Sequence, residues 1–277
     1  MQDQIIIRSL TSIDAILNVN EIARTIWSAD EVIPLHQTLT AVKNGGLVLG
    51  AYLAEQLIGF QYSFAGFNGS ETYLCSHMLA VLPEHQHLGV GEIMKRYQRN
   101  QAIKLGYQLI TWTYDPLESV NGYLNIGKLG AVSSKYIENC YGVMKDNINA
   151  GLPTDRLLVE WRISTNHVSK KLAKSISVPH PQSQEIINPF KIKDEEIAYI
   201  SDIFFDKTTA DSFLYVAIPQ NFQIIKQYDL TLAQEWRIAI RNILTHYFSA
   251  GWTLTDYYRT ASQPINYYVL QKDFQVS

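Results

Sequence analysis

Cysteine, surplus positive charge and long apolar runs are all scarce in this sequence, and each scarcity excludes a class of protein. The two cysteines, Cys75 and Cys140, lie far apart and form no CxxC pair, so neither a disulfide framework nor a zinc site is expected. Lys and Arg number 23 against 26 Asp and Glu, which leaves a formal charge of −3 and no positive field for a nucleic-acid backbone. No apolar run approaches the roughly 20 residues that cross a bilayer. We therefore expect no nucleic-acid partner and no membrane span.

The residues that are plentiful indicate a large folded core. Hydrophobic residues make up 47% of the 277 residues and charged residues only 18%, while 17 Tyr and 10 Phe supply bulky side chains for packing. The first ten residues, MQDQIIIRSL, lack the basic start and apolar centre of a signal peptide, so we expect a cytoplasmic location.

The spacing of apolar residues predicts a regular order of elements over residues 5–163. Ser12 caps a first helix, in which Ile16, Val19 and Ala23 recur at helical spacing. A hairpin and a third strand ending at Pro83 follow, and then a helix from Val90 to about Leu105. The remaining predicted elements are a strand at 109–114, a helix at 120–129, and strands at 132–142 and 156–163. The predicted order is therefore α-β-β-β-α-β-α-β-β.

The rest of the chain changes character. Residues 164–195 are rich in Ser, Lys, Pro and Gln, which predicts a linker that crosses the surface between a first domain, 1–163, and a C-terminal extension, 196–277. Within the extension we predict a strand at 212–219, a helix at about 232–250 with a capping box formed by Thr231 and Gln234, and strands at 252–258 and 266–271. This β-α-β-β order repeats that of 109–163, and we expect the extension to pack on the first domain.

One short motif points to a ligand. Gly89-Val90-Gly91 lies where a strand gives way to a helix, and unpaired backbone N–H groups at such a place favour a phosphate. Met94 occupies the position of the third glycine of GxGxxG, and no Lys-Ser or Lys-Thr follows as in a P-loop, so two common phosphate loops are excluded. What remains is the spacing Gln86-x-x-Gly89-x-Gly91. The alternative interpretation is an ordinary tight turn before a helix.

This segment resembles the coenzyme A signature of the GNAT acetyltransferase superfamily, a Q/R-x-x-G-x-G/A loop that follows a strand. The order of elements over 5–163 agrees, and Lys128-Leu129-Gly130-Ala131 resembles the segment that often ends the family's fourth helix. The resemblance implies an α/β (α+β) fold, with a mixed, mostly antiparallel sheet flanked by helices and a C-terminal β-α-β-β half-repeat. It also implies acetyl-CoA (coenzyme A) as the cofactor.

The resemblance also assigns cofactor contacts. The backbone of Leu79, Ala80 and Val81 would pair with the pantetheine arm, and Asn121 or Asn125 would lie near the thiol end of the cofactor. The pyrophosphate would be wrapped by the turn, and Glu92 would open the following helix. The turn comprises Gln86, His87, Leu88, Gly89, Val90 and Gly91.

The residues that usually manage protons in this family are absent. Ile126 stands where a tyrosine acid is frequent, and Cys75 stands where some members have a glutamate base. His77 is the candidate base, because simple strand alternation puts it on one face with Cys75 and Leu79; a hydrogen-bonded core histidine is the alternative. Tyr136 and Tyr141 are the candidate acids, with packing as their alternative role.

The sequence thus predicts an acyltransferase that moves an acetyl group to an amine of a small molecule or a peptide, by direct attack in a ternary complex. No metal is expected, because the HxH pair His85 and His87 lacks further ligands nearby. One alternative is a coenzyme A-binding regulatory or sensor protein without turnover. Another is a structural half-repeat protein whose extension forms a homodimer.

Overall fold

The computed structural model describes residues 4–27, 32–142, 151–194, 196–205, 207 and 213–276. The chain forms two compact units. The first contains the described residues up to Trp112 together with Arg162–Ser164, and the second contains those of Thr113–Trp161 and of Thr165–Ser277. The units do not follow the predicted division at residue 163, since residues 113–161 cluster with the C-terminal region.

The first unit is built on a mixed sheet in the order β1-β2-β3-β4-β5. Neighbouring strands pair antiparallel except for β4 and β5, which are parallel. Residues 109–112 of β5 belong to this unit. The elements in chain order are β1 (Ile6–Ser9), α1 (Ile13–Ile26), α2 (Leu35–Lys43), β2 (Leu47–Leu53), β3 (Gln56–Phe67), β4 (Thr72–Val81), a 3-10 turn (Pro83–Leu88), α3 (Val90–Lys104) and β5 (Leu109–Tyr114).

Helices cover both faces of this sheet. On one face, Val19, Ile22 and Ala23 of α1 pack against Phe60 and Tyr62 of β3. On the other face, Val90 and Met94 of α3 pack against a second cluster, which includes Leu49, Ala51, Ile58 and Val81. Because alternate residues of a strand point to opposite faces, β3 contributes to both cores.

The sheet strands of the second unit lie in the order β7-β6-β11-β12-β10, and β8 and β9 form a separate two-stranded sheet. Trp161 and Trp236 are both fully buried in it. Its elements are α4 (Ser119–Gly122), a π-helical turn (Tyr123–Lys128), β6 (Val132–Ile137), β7 (Arg156–Arg162), α5 (Asn166–Leu172), a 3-10 turn (Ser183–Glu185), β8 (Phe190–Asp194), β9 (Ile197–Ile200), β10 (Phe213–Pro219), α6 (Phe222–Tyr228), α7 (Leu230–Ser249), β11 (Trp252–Tyr258) and β12 (Ile265–Lys272).

The predicted α/β class, with a mixed and mostly antiparallel sheet flanked by helices, is confirmed, and the C-terminal strand, helix, strand, strand order is present. Three details differ. The stretch predicted as a linker contains α5, and its Ile187 and Asn188 are fully buried. The predicted capping box at Thr231 is wrong, because Asp229 caps α7 instead by accepting from the backbone N–H groups of Thr231 and Leu232. The predicted strand at 132–142 ends at Ile137.

Candidate functional site

The turn between β4 and α3 has the backbone geometry that an anion site needs. Gly89 adopts a left-handed conformation, φ +72°, which a residue with a Cβ rarely takes. A Cβ built on Gly89 would meet no atom within 4 Å, so the surface above the turn is open. Val90 is fully buried and anchors the first turn of α3, while residues 86–89 are exposed. The N–H groups of Val90 and Gly91 are the first of α3, so no earlier turn of the helix supplies acceptors for them, and such groups favour an anion.

Two side chains shape the approach to this turn. Gln86 donates from Nε2 to the carbonyl oxygen of Val81, 3.2 Å away, which ties the turn to the end of β4. Glu92 lies in the first turn of α3, where its negative charge would repel a phosphate, but Arg96 donates to it at 2.9 Å. The ion pair offsets that repulsion.

Strand β4 offers one edge to a ligand. Along its other edge β4 pairs with β3 over its whole length, from Thr72 opposite Phe67 to Val81 opposite Gly59. Toward β5 the described pairs are Leu74 with Ile110 and Cys75 with Thr111. Beyond Cys75 no further pair of β4 with β5 is described, so this edge of Leu79, Ala80 and Val81 has no described strand partner, although the carbonyl oxygen of Val81 accepts from Gln86. An extended chain can pair with such an edge.

A β-bulge in β4 changes the placement of His77. Ser76 lies opposite Ser63 and Met78 lies opposite Tyr62, so His77 is an extra residue in β4. Its ring contacts those of Tyr62 and Phe64, with centroids 6.2 and 5.7 Å apart. These aromatic rings belong to the α1 face.

The prediction that His77 shares a face with Leu79 is therefore wrong, because Leu79 packs with the α3 cluster. Simple alternation along β4 fails at the bulge. His77 is exposed, and its role as a base stays a prediction without the geometric argument that motivated it.

On the α3 face, at the point where β4 and β5 part, lies a buried polar group that we call the Lys95 cluster. The Nζ atom of Lys95 donates to Ser76 Oγ at 2.8 Å and lies 3.6 Å from the centroid of the Trp112 ring. Gln61 donates to Ser76 Oγ at 3.0 Å. Three further hydrogen bonds complete the cluster: Gln61 and Gln98 donate to Ser63 Oγ at 2.6 and 2.9 Å, and the Ser76 hydroxyl donates to Gln98 Oε1 at 3.4 Å.

Burial controls the charge of Lys95, which is only 3% exposed. Loss of solvation lowers its pKa from the ordinary 10.5 to about 7, and the nearby Cys75 thiol opposes this shift. Burial also raises the pKa of Cys75, so this thiol is not activated as a nucleophile. A neutral amine is thus available in this cluster near neutral pH.

This shift has a consequence for stability. Between pH 7 and 10 the unfolded chain binds the Lys95 proton and the folded chain does not, so the free energy of unfolding rises with pH. We expect this rise to be about 3 kcal/mol larger in the parent protein than in Lys95→Met. Urea unfolding at pH 6 to 10 measures it. Equal pH dependence in both proteins would mean that Lys95 keeps an ordinary pKa in the fold.

The two asparagines predicted near the thiol end lie in the second unit, four residues apart. Asn121 on α4 is exposed, whereas Asn125, in the π-helical turn, is only 4% exposed. Of the two, Asn121 is the residue with a side chain open to a ligand. Ile126, at the position of the missing acid, is fully buried among apolar groups and supplies no proton.

The segment that carries these asparagines is held by β11 and β12. Tyr268 donates to the carbonyl oxygen of Pro116 at 2.8 Å, and Asn266 donates to Ser119 Oγ at 2.8 Å. Ser119 also hydrogen-bonds the hydroxyl of Tyr257. Gly122 fits against these rings because it lacks a side chain, since a Cβ there would lie 2.7 Å from the Tyr268 hydroxyl. The C-terminal strands therefore fix the position of α4.

An ion-pair network anchors the same segment to α7. Arg237, 2% exposed, makes two hydrogen bonds to Asp115, one of them at 2.8 Å. Arg241 donates to both carboxylate oxygens of Asp155 at 2.8 and 2.9 Å. Although burial of Asp155 opposes the shift, these hydrogen bonds hold its pKa below the ordinary value.

The two candidate tyrosines have different surroundings in this unit. The hydroxyl of Tyr136 donates to Asp155 at 2.7 Å, and burial with this carboxylate raises its pKa, so Tyr136 is a poor proton donor. Tyr141 is 51% exposed and its hydroxyl lies 2.8 Å from Thr113 Oγ1. Of the two, Tyr141 is the one that a ligand can reach.

Two features of the described residues concern binding of a metal ion and of a membrane. In the described part of the chain, no group of three or more His, Cys, Asp or Glu side chains is placed to hold a metal ion. Among the helices described, none is both long enough and apolar enough to cross a membrane.

Sequence reasoning missed the Lys95 cluster. Helical spacing predicts that Val90, Ile93, Met94 and Tyr97 form one face of α3, but Ile93 is 38% exposed. The buried residues of α3 are Val90, Met94, Lys95, Gln98 and Ala102. The available signal was that Gln98 falls between Met94 and Ala102 at four-residue spacing, which places a polar side chain on the buried stripe.

Comparison with known proteins finds similarity in structure alone. No family model matches the sequence, and no curated protein matches it. Solved structures that it resembles include a GNAT-family acetyltransferase from Streptococcus pneumoniae, at 14% identity and a TM-score of 0.45, covering 57% of this chain and 98% of that one. A GNAT-family acetyltransferase from Elizabethkingia anophelis with acetyl-CoA bound has 18% identity and a TM-score of 0.41, covering 58% and 99%. At such identities the likeness concerns the fold and does not identify a reaction.

Proposed function

We propose that this protein is an acyltransferase that moves an acetyl group from acetyl-CoA to an amine of a small molecule or a peptide. The observation that carries the proposal is the turn after β4. There an exposed left-handed Gly89 and the first N–H groups of a 15-residue helix, those of Val90 and Gly91, would form a site for a pyrophosphate. Gln86, tied to Val81, and Glu92, paired with Arg96, complete this site.

The open edge of β4 extends the site from the turn toward the Lys95 cluster. A strand advances about 3.3 Å per residue, so an extended arm that starts at the turn and follows Val81, Ala80 and Leu79 leads to Ser76 within about 20 Å. The arm of coenzyme A is amide-containing and can pair with a strand edge. Its reactive end would then lie where β4 and β5 part.

The proposed reaction needs few groups from the protein. Acetyl-CoA supplies an activated acyl carbon, and the chain has to hold that carbon against the acceptor's nitrogen. Backbone N–H groups on the open edge of β4 can donate to the thioester oxygen, which stabilises the negative charge that develops there. Asn121 is the proposed contact near the thiol end, and Tyr141 is the more accessible of the two proposed acids.

A second candidate function is a coenzyme A-binding sensor without turnover. It is favoured by Ile126, which is fully buried, and by Cys75, whose thiol has a raised pKa because it is buried. Neither residue can replace the acid and base that the family usually places there.

Both cysteines are free, which agrees with a reducing compartment, and we propose the cytoplasm.

The release of free thiol from acetyl-CoA in the presence of a panel of amines tests the proposal. We expect release that depends on one class of amine, and no release by Gly91→Glu. Binding of acetyl-CoA without release for any amine would favour the sensor. Absence of binding would contradict both functions and leave the turn as a structural feature.

A further inference from the structure

The Lys95 cluster contains an amine at the place where the proposed site needs a proton acceptor. Pairing between β4 and β5 ends at Cys75 and Thr111, and the next residue of each strand contacts Lys95. Its Nζ atom lies 2.8 Å from Ser76 Oγ on β4 and 3.6 Å from the Trp112 ring centroid on β5. Lys95 therefore lies where the described pairing of the two strands ends.

The surroundings of Lys95 favour the neutral amine more than water does. The described residue whose charge acts on it is Cys75, from β4. The groups that contact it or complete its cluster are uncharged: Gln61 and Ser63 from β3, Ser76 from β4, Trp112 from β5 and Gln98 from α3. A buried ammonium without a carboxylate partner is costly, so the neutral form is favoured.

The cluster also has room for one more hydrogen bond. Gln61 is fully buried, and its Oε1 atom accepts no hydrogen bond from the described residues. A buried acceptor without a donor is costly. The cluster thus leaves one acceptor unsatisfied among the described residues.

We propose that Lys95 takes up the proton that the acceptor amine loses, and that it does so through the hydroxyl group of Ser76. This inference rests on the proposed function. As the neutral amine attacks, a C–N bond forms and the C–S bond breaks, and the electron pair of the C–S bond leaves with the thiolate. The acceptor's proton passes to Ser76 Oγ while the hydroxyl proton of Ser76 passes to Lys95 Nζ. A proton then returns from Lys95 through Ser76 to the thiolate, so that the reaction yields amide and thiol with no net proton change.

This assignment replaces the argument that favoured His77. That argument required a titratable group on the face of Leu79, and the bulge in β4 turns His77 to the other face. Lys95, from α3, lies on the face of Leu79. It acts through Ser76 and is a positioning residue in this scheme, so its test needs a readout that a purely structural role would not change.

The test compares the full-length parent protein with Lys95→Met, Ser76→Ala and Lys104→Met by thiol release from acetyl-CoA between pH 6 and 9.5. Lys104 is an exposed lysine of the same helix and serves as the control. We expect Lys95→Met to lower turnover about 10²- to 10⁴-fold and to remove the rise in rate around pH 7. The Kd of Lys95→Met for acetyl-CoA should stay within about threefold of the parent's, because Lys95 is not among the residues proposed to bind the cofactor. Ser76→Ala should also lose the pH-dependent rise, and Lys104→Met should behave like the parent.

Each outcome has a distinct meaning. No thiol release by the parent would contradict the proposed function itself. Release by the parent, with an unchanged pH profile in Lys95→Met, would overturn only the role of Lys95. Loss of the rise in His77→Gln, with the rise kept in Lys95→Met, would return the base to His77. If Lys95→Met does not fold, Ser76→Ala decides, because a parental profile in that variant excludes the relay.

Discussion

Gly91→Glu should abolish the rise in melting temperature that acetyl-CoA gives the parent protein. A ligand that binds only the folded state stabilises it by mass action, so a variant that cannot bind shows no shift. Gly91 lies in the first turn of α3, where a glutamate side chain adds bulk and negative charge beside the first N–H groups of the helix. The helical backbone accepts this residue, and the fold should survive. Thermal melts with and without a saturating concentration of acetyl-CoA measure the effect.

The matched control is Asn100→Glu. Asn100 is exposed on the same helix, and it lies nine residues beyond Gly91, which is about 14 Å along the axis. The Asn100→Glu substitution adds the same charge to α3 away from the turn. The rise in melting temperature that acetyl-CoA gives this variant should equal that of the parent. Equal shifts in melting temperature for Gly91→Glu and the parent would show that the pyrophosphate does not bind at this turn. Loss of the shift in both variants would show a general effect of charge on the helix.

A chain that ends at Ser164 should lose its cooperative melt. Residues 113–161 cluster with the C-terminal region, and the removed part supplies Arg237 for Asp115 and Tyr268 for Pro116. The truncation also removes β11, which pairs with β6 through Leu254 and Ser133. Breaking a buried ion pair by removing one partner is strongly destabilising, and the apolar face left behind would be exposed to water. Calorimetry measures the loss as a missing or broadened transition.

Its control is a chain that ends at Lys272. This chain keeps all of β12 and its pairing with β10, so it should melt close to the parent. An extension that folded as a separate module after residue 163 would give the opposite result for the shorter chain. A cooperative melt and normal acetyl-CoA binding by residues 1–164 would show that the C-terminal region is an independent appendage.

Elements with a strong local signal were predictable from the sequence. The helix at Ser12 and the strand that ends before Pro83 each have a capping or terminating residue beside a clear apolar pattern. Strand β1 has only four residues, and α2 begins at Leu35 after Pro34 without a side-chain cap, so neither was predicted. Short elements of this kind depend on tertiary packing more than on their own sequence.

In the candidate site, too, residues with a local sequence signal were predictable and residues placed by tertiary contacts were not. The turn at Gly89 was predictable, because a glycine before a helix is a local feature with a direct backbone consequence. The position of His77 was not, since it depends on a bulge that arises only when β4 pairs with β3. Lys95 was missed because its proposed role depends on contacts with Ser76 and Trp112, which are 19 and 17 residues away along the chain.

A crystal structure with acetyl-CoA bound is the most direct test of the central claim, that the turn after β4 binds the pyrophosphate of coenzyme A. We expect pyrophosphate oxygens within hydrogen-bond distance of the N–H groups of Val90 and Gly91, and the pantetheine arm beside Leu79, Ala80 and Val81. The thioester should lie near Ser76, at the opening between β4 and β5. A cofactor bound elsewhere on the chain, with the turn at Gly89 left open to solvent, would contradict the claim.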